Sequence, residues 1–182
     1  MHRAWATLEI KAFDAEQRVI EGIASTPTAD RGGDVLLPAG AQFALPMPLL
    51  WQHDQKQPIG EVFEAAVTPQ GIAIRARIAQ LDEPGALRER LESAWQSIRL
   101  KLVRGLSIGW KPLEAKALPK GGLHVSKWLW AETSAVTIPQ NAEATILAVK
   151  SADLAAPGPH PSRDRDPLPI VRVEKKIGRA HV

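Results

Sequence analysis

Cysteine and tyrosine are absent from this 182-residue chain, and aromatic residues make up only 5% of it. Without cysteine there is no disulfide framework, no thiol nucleophile and no zinc site built on thiolates. The same absence fits a reducing compartment. Long apolar runs are missing too: none approaches the roughly 20 residues that cross a bilayer. Met1-His2-Arg3-Ala4-Trp5 leads into alternating residues rather than an apolar signal segment. Nor does one sign of charge dominate, since 23 Lys and Arg face 20 Asp and Glu for a net +3, with a pI of about 9.4. So small an excess keeps a surface soluble, and it argues for nucleic acid only where it gathers in a patch. Arg75 and Arg77 are the support for a basic nucleic-acid-binding barrel, but the interleaved aromatics that stack bases are scarce. The expectation is a soluble, intracellular protein with neither a membrane nor a specific nucleic acid as partner.

The remainder is a globular composition, 45% hydrophobic and 24% charged, in a chain long enough for one domain with a real core. Its dominant period is two. Ala6, Leu8 and Ile10 alternate with Thr7, Glu9 and Lys11, a turn follows at residues 14–17, and residues 18–25 resume an extended pattern. Ile72, Ile74, Ala76 and Ile78 alternate with Ala73, Arg75 and Arg77 beyond a turn at Thr68-Pro69-Gln70-Gly71, so residues 59–67 and 72–79 form a hairpin. Residues 106–113, 122–130 and 144–149 are further strands. One segment breaks the rhythm: between Pro84 and Val103, residues Leu87, Leu91, Trp95, Ile98 and Leu102 recur at helical spacing, with Asp82 and Glu83 at the start and Gly105 placed to end the helix. Many short strands and one long surface helix point to a mainly β (α+β) fold, a closed or nearly closed barrel without exposed edges.

The expected domain covers residues 1–150. From Ser151 the chain turns to Pro157, Pro159, Pro161, Pro167 and Pro169 mixed with Arg163-Asp164-Arg165-Asp166, a composition that buries little, and residues 151–182 are read as a flexible tail. Its last residues, 177–182, resemble the translation of a sequencing adapter, so they are expected to be an assembly scar and His181 is given no role.

A serine hydroxyl becomes a nucleophile only with a base in hydrogen-bond reach, and that base needs a third group to hold its ring. Among the five histidines, His2 is terminal, His160 lies in the tail and His124 in a strand. His53 ends the apolar run Pro48-Leu49-Leu50-Trp51 and precedes Asp54 and the turn-forming Gln55-Lys56-Gln57-Pro58, where a scaffold can present a side chain; a hydrogen-bonded structural histidine fits equally. Ser107 sits in Gly105-Leu106-Ser107-Ile108-Gly109, whose glycines allow close approach of another backbone or simply relieve barrel curvature. Glu132 follows Trp128-Leu129-Trp130-Ala131. A carboxylate there is partly buried and needs a partner, either a histidine ring proton or Lys127 and solvent.

Taken in order, the segments from about Leu8 to Lys150 resemble the prohead maturation proteases of tailed bacteriophages. They are Glu21-Gly22-Ile23-Ala24-Ser25, Asp30-Arg31-Gly32-Gly33-Asp34-Val35, Pro38-Ala39-Gly40-Ala41, Leu50-Trp51-Gln52-His53-Asp54, Pro58-Ile59-Gly60, Gly105-Leu106-Ser107-Ile108-Gly109, Glu132-Thr133-Ser134-Ala135-Val136-Thr137 and Pro139-Gln140-Asn141-Ala142-Glu143-Ala144. The resemblance implies a barrel like that of the herpesvirus assembly proteases. It also implies His53 as general base, Ser107 as nucleophile and Glu132 as the third member, with Asp54 the rival. Backbone groups near Gln140-Asn141 are candidate oxyanion donors. A serine endopeptidase of this type needs no cofactor and no metal. Its implied substrates are scaffold, the N-terminal part of the major capsid protein and itself, inside the immature capsid in the host cytoplasm; dimerisation is a further family expectation. The competing reading is a capsid-assembly protein that keeps the barrel without turnover.

Overall fold

The computed structural model describes residues 18–150. The alternation at residues 6–10, the turn at 14–17 and the tail from Ser151 lie outside them. Nine strands follow in order: β1 (Val19–Ser25), β2 (Val35–Leu36), β3 (Ala41–Gln42), β4 (Met47–Trp51), β5 (Asp54–Thr68), β6 (Gly71–Ile78), β7 (Gly105–Ala117), β8 (Leu123–Val136) and β9 (Thr145–Lys150). A 3-10 turn at Pro38–Gly40 and one α-helix, α1 (Ala86–Arg99), complete the described elements.

Pairing runs β8-β4-β5-β6-β1-β9-β7 and returns from β7 to β8, so seven strands close a barrel, while the two-residue strands β2 and β3 lie along β8. All neighbours in the ring are antiparallel except β4 and β8, which run parallel. A ring with an odd number of strands cannot alternate direction throughout, so at least one parallel seam is required.

Period-two alternation produces the β5–β6 hairpin as expected. Ile72, Ile74, Ala76 and Ile78 are buried, and the Thr68 hydroxyl donates to the Gly71 carbonyl at 3.0 Å to close the turn. On the outer face Arg75 donates to Glu21 and Glu64 on the two flanking strands, and both Arg75 and Arg77 lie over the Phe63 ring. These cations therefore belong to a cross-strand network with neighbouring acids.

The helix is shorter than its apolar spacing suggests. It begins after Pro84 and Gly85 and ends at Arg99, because Lys101 takes a left-handed φ of 58° and Ser97 O accepts the N–H groups of Leu102 and Val103. Leu91, Ala94, Trp95 and Ile98 face the core, whereas Leu87 and Leu102 are exposed. Gly105 does not cap the helix; it opens β7. Arg18 secures the helix by donating to Glu92 and lying over Trp95.

Leu49 sits at the centre of β4 with no exposed surface. Leu49→Ala is expected to lower the free energy of unfolding by about 2–5 kcal/mol, measured as a shift in the urea midpoint with an unchanged slope. A loss of a few tenths would contradict the packing described.

Candidate active site

Three strands meet at the parallel seam, and each contributes one part of the site. On β8, the Thr133 hydroxyl points inward to Met47 Sδ at 3.7 Å, so its neighbours Glu132 and Ser134 face outward. Uninterrupted alternation would put Glu132 on the same face as Trp130, which is core. The strand avoids this with an extra residue: Gly109 pairs with Glu132 but Trp110 with Trp130, leaving Ala131 as a bulge. Trp130 Nε1 bridges the bulge by donating to Glu132 O at 2.9 Å. A bulge re-aims the residue beside it, and here it turns a carboxylate out of the core.

On β7, Ser107 lies opposite Ser134 and Gly109 opposite Glu132. Opposed residues of an antiparallel pair share a face, with Cβ atoms about 4.5–5.5 Å apart. Ser107, Ser134 and Glu132 therefore form one outer cluster. Gly109 exists to leave space: a Cβ there would lie 2.5 Å from Glu132 Oε1 and 2.7 Å from its Cγ. What comes close to Gly109 is thus a side chain, not the backbone its flexibility suggested. At Gly105 a Cβ would meet Pro139 and the Val136 carbonyl.

His53 arrives from the third side. The turn expected at residues 55–58 is instead formed by Gln52 and His53, because Trp51 already pairs with Asp54 and Gln55 to Gln57 belong to β5. Gln52 and His53 have φ of 54° and 61°, the left-handed pair that a two-residue hairpin demands and that Asn-Gly usually supplies. Non-glycine residues there cost about 1–3 kcal/mol each unless their surroundings hold them. They are held. Gln52 N donates to Ala135 O at 3.1 Å, the Gln52 amide and Thr137 exchange two bonds of 3.1 and 3.3 Å, and His53 N donates to Ser134 Oγ at 3.2 Å.

The result is a short hydrogen-bonded array. His53 Nδ1 and Glu132 Oε1 are 2.9 Å apart, and the other carboxylate oxygen, Oε2, accepts from Ser134 Oγ at 2.8 Å. The His53 side chain is 45% exposed and that of Glu132 15%, so the ring remains accessible while its carboxylate partner is sheltered. Ser107 is 4% exposed. Its hydroxyl has no hydrogen-bond partner among the described residues. A small cleft opens beside Ser107, bordered by Thr26, Asp30, Trp110, Gln140 and Asn141. There the Asn141 amide donates to Thr26 O and Oγ1 and Arg31 N donates to Gln140 O, clamping the two loops together.

Asp54 is occupied elsewhere. Lys56 N donates to its Oδ1 at 2.9 Å and Gln57 Nε2 to its Oδ2 at 2.8 Å. These bonds, the backbone one foremost, hold its carboxyl below the ordinary value of 3.8. Lys127, the other partner considered for Glu132, donates to Glu114 across the β7–β8 pair. Ser134 and the Ala131 bulge were not singled out from the sequence. Ser134 reads there as one more small strand residue, and a bulge leaves no mark in an unbroken strand pattern. Among the described residues, no group of three or more His, Asp or Glu is placed to hold a metal ion, and no helix is long and apolar enough to cross a membrane.

Comparison with known proteins adds to this geometry. A family model described as caudovirus prohead serine protease matches residues 7–156. The capsid polyprotein of Pseudomonas phage PAJU2 is 57% identical over 153 residues, covering 84% of this chain but 23% of its own length; the chain thus spans about a quarter of that relative. The prohead protease of Escherichia phage T5 is 28% identical over 155 residues, covering 78% of this chain and 70% of its own. Among solved structures, KSHV protease in complex with a hexapeptide phosphonate inhibitor aligns with a TM-score of 0.46 and 13% identity, over 72% of this chain and 64% of that one.

Two outcomes check the site as built. Gly109→Ala is expected to leave the barrel folded but expel the Glu132 carboxylate, so a crystal structure shows the His53–Glu132 bond broken; an intact bond contradicts the packing. Because the Asp54 pKa is depressed on folding, its contribution to stability is full above its ordinary value of 3.8 and is lost as pH falls through the lower folded-state value. Asp54→Asn therefore flattens the acid limb of the urea midpoint measured from about pH 5 to about pH 2, and an unchanged limb removes that role.

Proposed function

The chain belongs to the caudovirus prohead serine protease family, and from that premise we propose that it is an endopeptidase whose catalytic triad is Ser107, His53 and Glu132. The observation that carries the assignment is the 2.9 Å contact between His53 Nδ1 and Glu132 Oε1, on the barrel face that Ser107 shares through its pairing with Ser134. With its proton on Nδ1 and held by Glu132, the imidazole keeps the Nε2 lone pair free. It takes the Ser107 proton as the hydroxyl attacks a peptide carbonyl, then returns it to the leaving amine; Glu132 fixes the tautomer and stabilises the imidazolium. Water hydrolyses the resulting ester by the same route in reverse.

The tetrahedral intermediate needs donors for its oxyanion. The backbone N–H groups of Gln140 and Asn141 have no partner among the described residues, and both residues line the cleft that Ser107 borders, which supports them as donors. We assign the substrates as scaffold and the N-terminal segment of the major capsid protein, together with the protease itself, cleaved inside the prohead in the host cytoplasm. The relative named as a capsid polyprotein supports a capsid protein as substrate.

Co-expression with the cognate capsid protein tests the reading. Ser107→Ala and His53→Ala should each abolish processing while the circular dichroism spectrum is retained, and Glu132→Gln should slow it by about four orders of magnitude. Processing at the normal rate in Ser107→Ala would leave a non-enzymatic assembly protein as the better description.

A further inference from the structure

We infer that Ser134 is a positioning residue that holds the Glu132 carboxylate against the His53 ring and thereby maintains the tautomer of His53. This rests on the reading of His53 as general base but concerns a residue outside the proposed triad.

Ser134 is fully buried, beneath the His53 turn, and its hydroxyl makes two contacts: 3.2 Å to His53 N and 2.8 Å to Glu132 Oε2. Together with the 2.9 Å contact between Glu132 Oε1 and His53 Nδ1, they close a ring of three residues. Donor chemistry permits a single arrangement of these protons, in which both paths start at His53 and end on the carboxylate. A backbone N–H can only donate, so Ser134 Oγ accepts from His53 N and must spend its one proton on Glu132 Oε2. A carboxylate only accepts, so Oε1 requires the proton on His53 Nδ1. Nε2 is then left as the unprotonated nitrogen. The hydroxyl thus performs two tasks with one atom: it pins the left-handed His53 backbone from below and prevents Glu132 from rotating away from the ring.

Thr133 supplies the control. It is equally buried on the adjacent position of β8, but its hydroxyl faces Met47 in the core. A general weakening of β8 would follow from loss of either hydroxyl, whereas release of the Glu132 carboxylate from the His53 ring follows from loss of Ser134 alone.

The test uses the full chain and a fluorophosphonate probe, together with nitrogen-15 NMR of the His53 ring. Ser134→Ala should reduce the maximal labelling rate about 10- to 100-fold with little change in the half-saturating probe concentration. It should also convert His53 from one tautomer with the proton on Nδ1 to a mixture. Ser134→Thr, which keeps the hydroxyl, should recover part of the rate, and Thr133→Val should alter neither readout. Wild-type labelling and an unchanged ring spectrum in Ser134→Ala would overturn the inference, as would an equal loss in Thr133→Val. If Ser107→Ala still labels at the wild-type rate, the triad reading fails instead, and the ring spectrum still decides the role of Ser134.

Discussion

Seven strands cannot close a barrel in strict alternation of direction, so one neighbouring pair must be parallel. The chain meets this constraint at β4 and β8, and the seam shapes everything near it. A parallel pair sets the end of β4 beside the end of β8, so the turn leaving β4 has the C-terminal half of β8 directly beneath it. That half carries Glu132 and Ser134, and β7 lies along its other edge with Ser107. A topological requirement of the barrel therefore brings together three residues that are far apart in sequence.

The seam places the elements, and local chemistry then sets the atoms. Gln52 and His53 occupy backbone conformations suited to glycine or asparagine, at a cost of about 1–3 kcal/mol each. The bonds from Gln52 and His53 to Ala135, Thr137 and Ser134 are worth about 0.5–1.5 kcal/mol each, a comparable sum. Strain of this size persists only where neighbours over-determine the conformation. Exchanging His53 for glycine would relieve its turn but remove the imidazole that contacts Glu132, and the chain instead anchors the costly residue.

Much of the barrel was legible because its strands follow the simplest rule available, alternation about one buried face. The β5–β6 hairpin follows from it, and the buried stripe of the helix follows from the 3.6-residue period that interrupts it. The helix end did not, since Leu102 continues the apolar spacing while a left-handed Lys101 stops the coil. His53 and Ser107 stood out as candidates because their residue types are scarce or oddly placed, and the ordered motifs supplied the roles proposed for them. Glu132 could be named but not oriented. Pairwise alternation assigns it to the core face, and only the bulge at Ala131 reverses that. Ser134 was invisible for a different reason: its importance lies in two contacts made at once, which no local pattern records.

If this face of the barrel activates one particular alcohol, a serine-directed reagent should react there alone, and mapping the site of phosphonylation decides it. After the wild-type protein reacts with a fluorophosphonate, proteolysis and mass spectrometry should locate a single adduct on Ser107. An adduct on another serine, Ser134 included, or a folded protein that forms none, would show that Ser107 is not the activated alcohol.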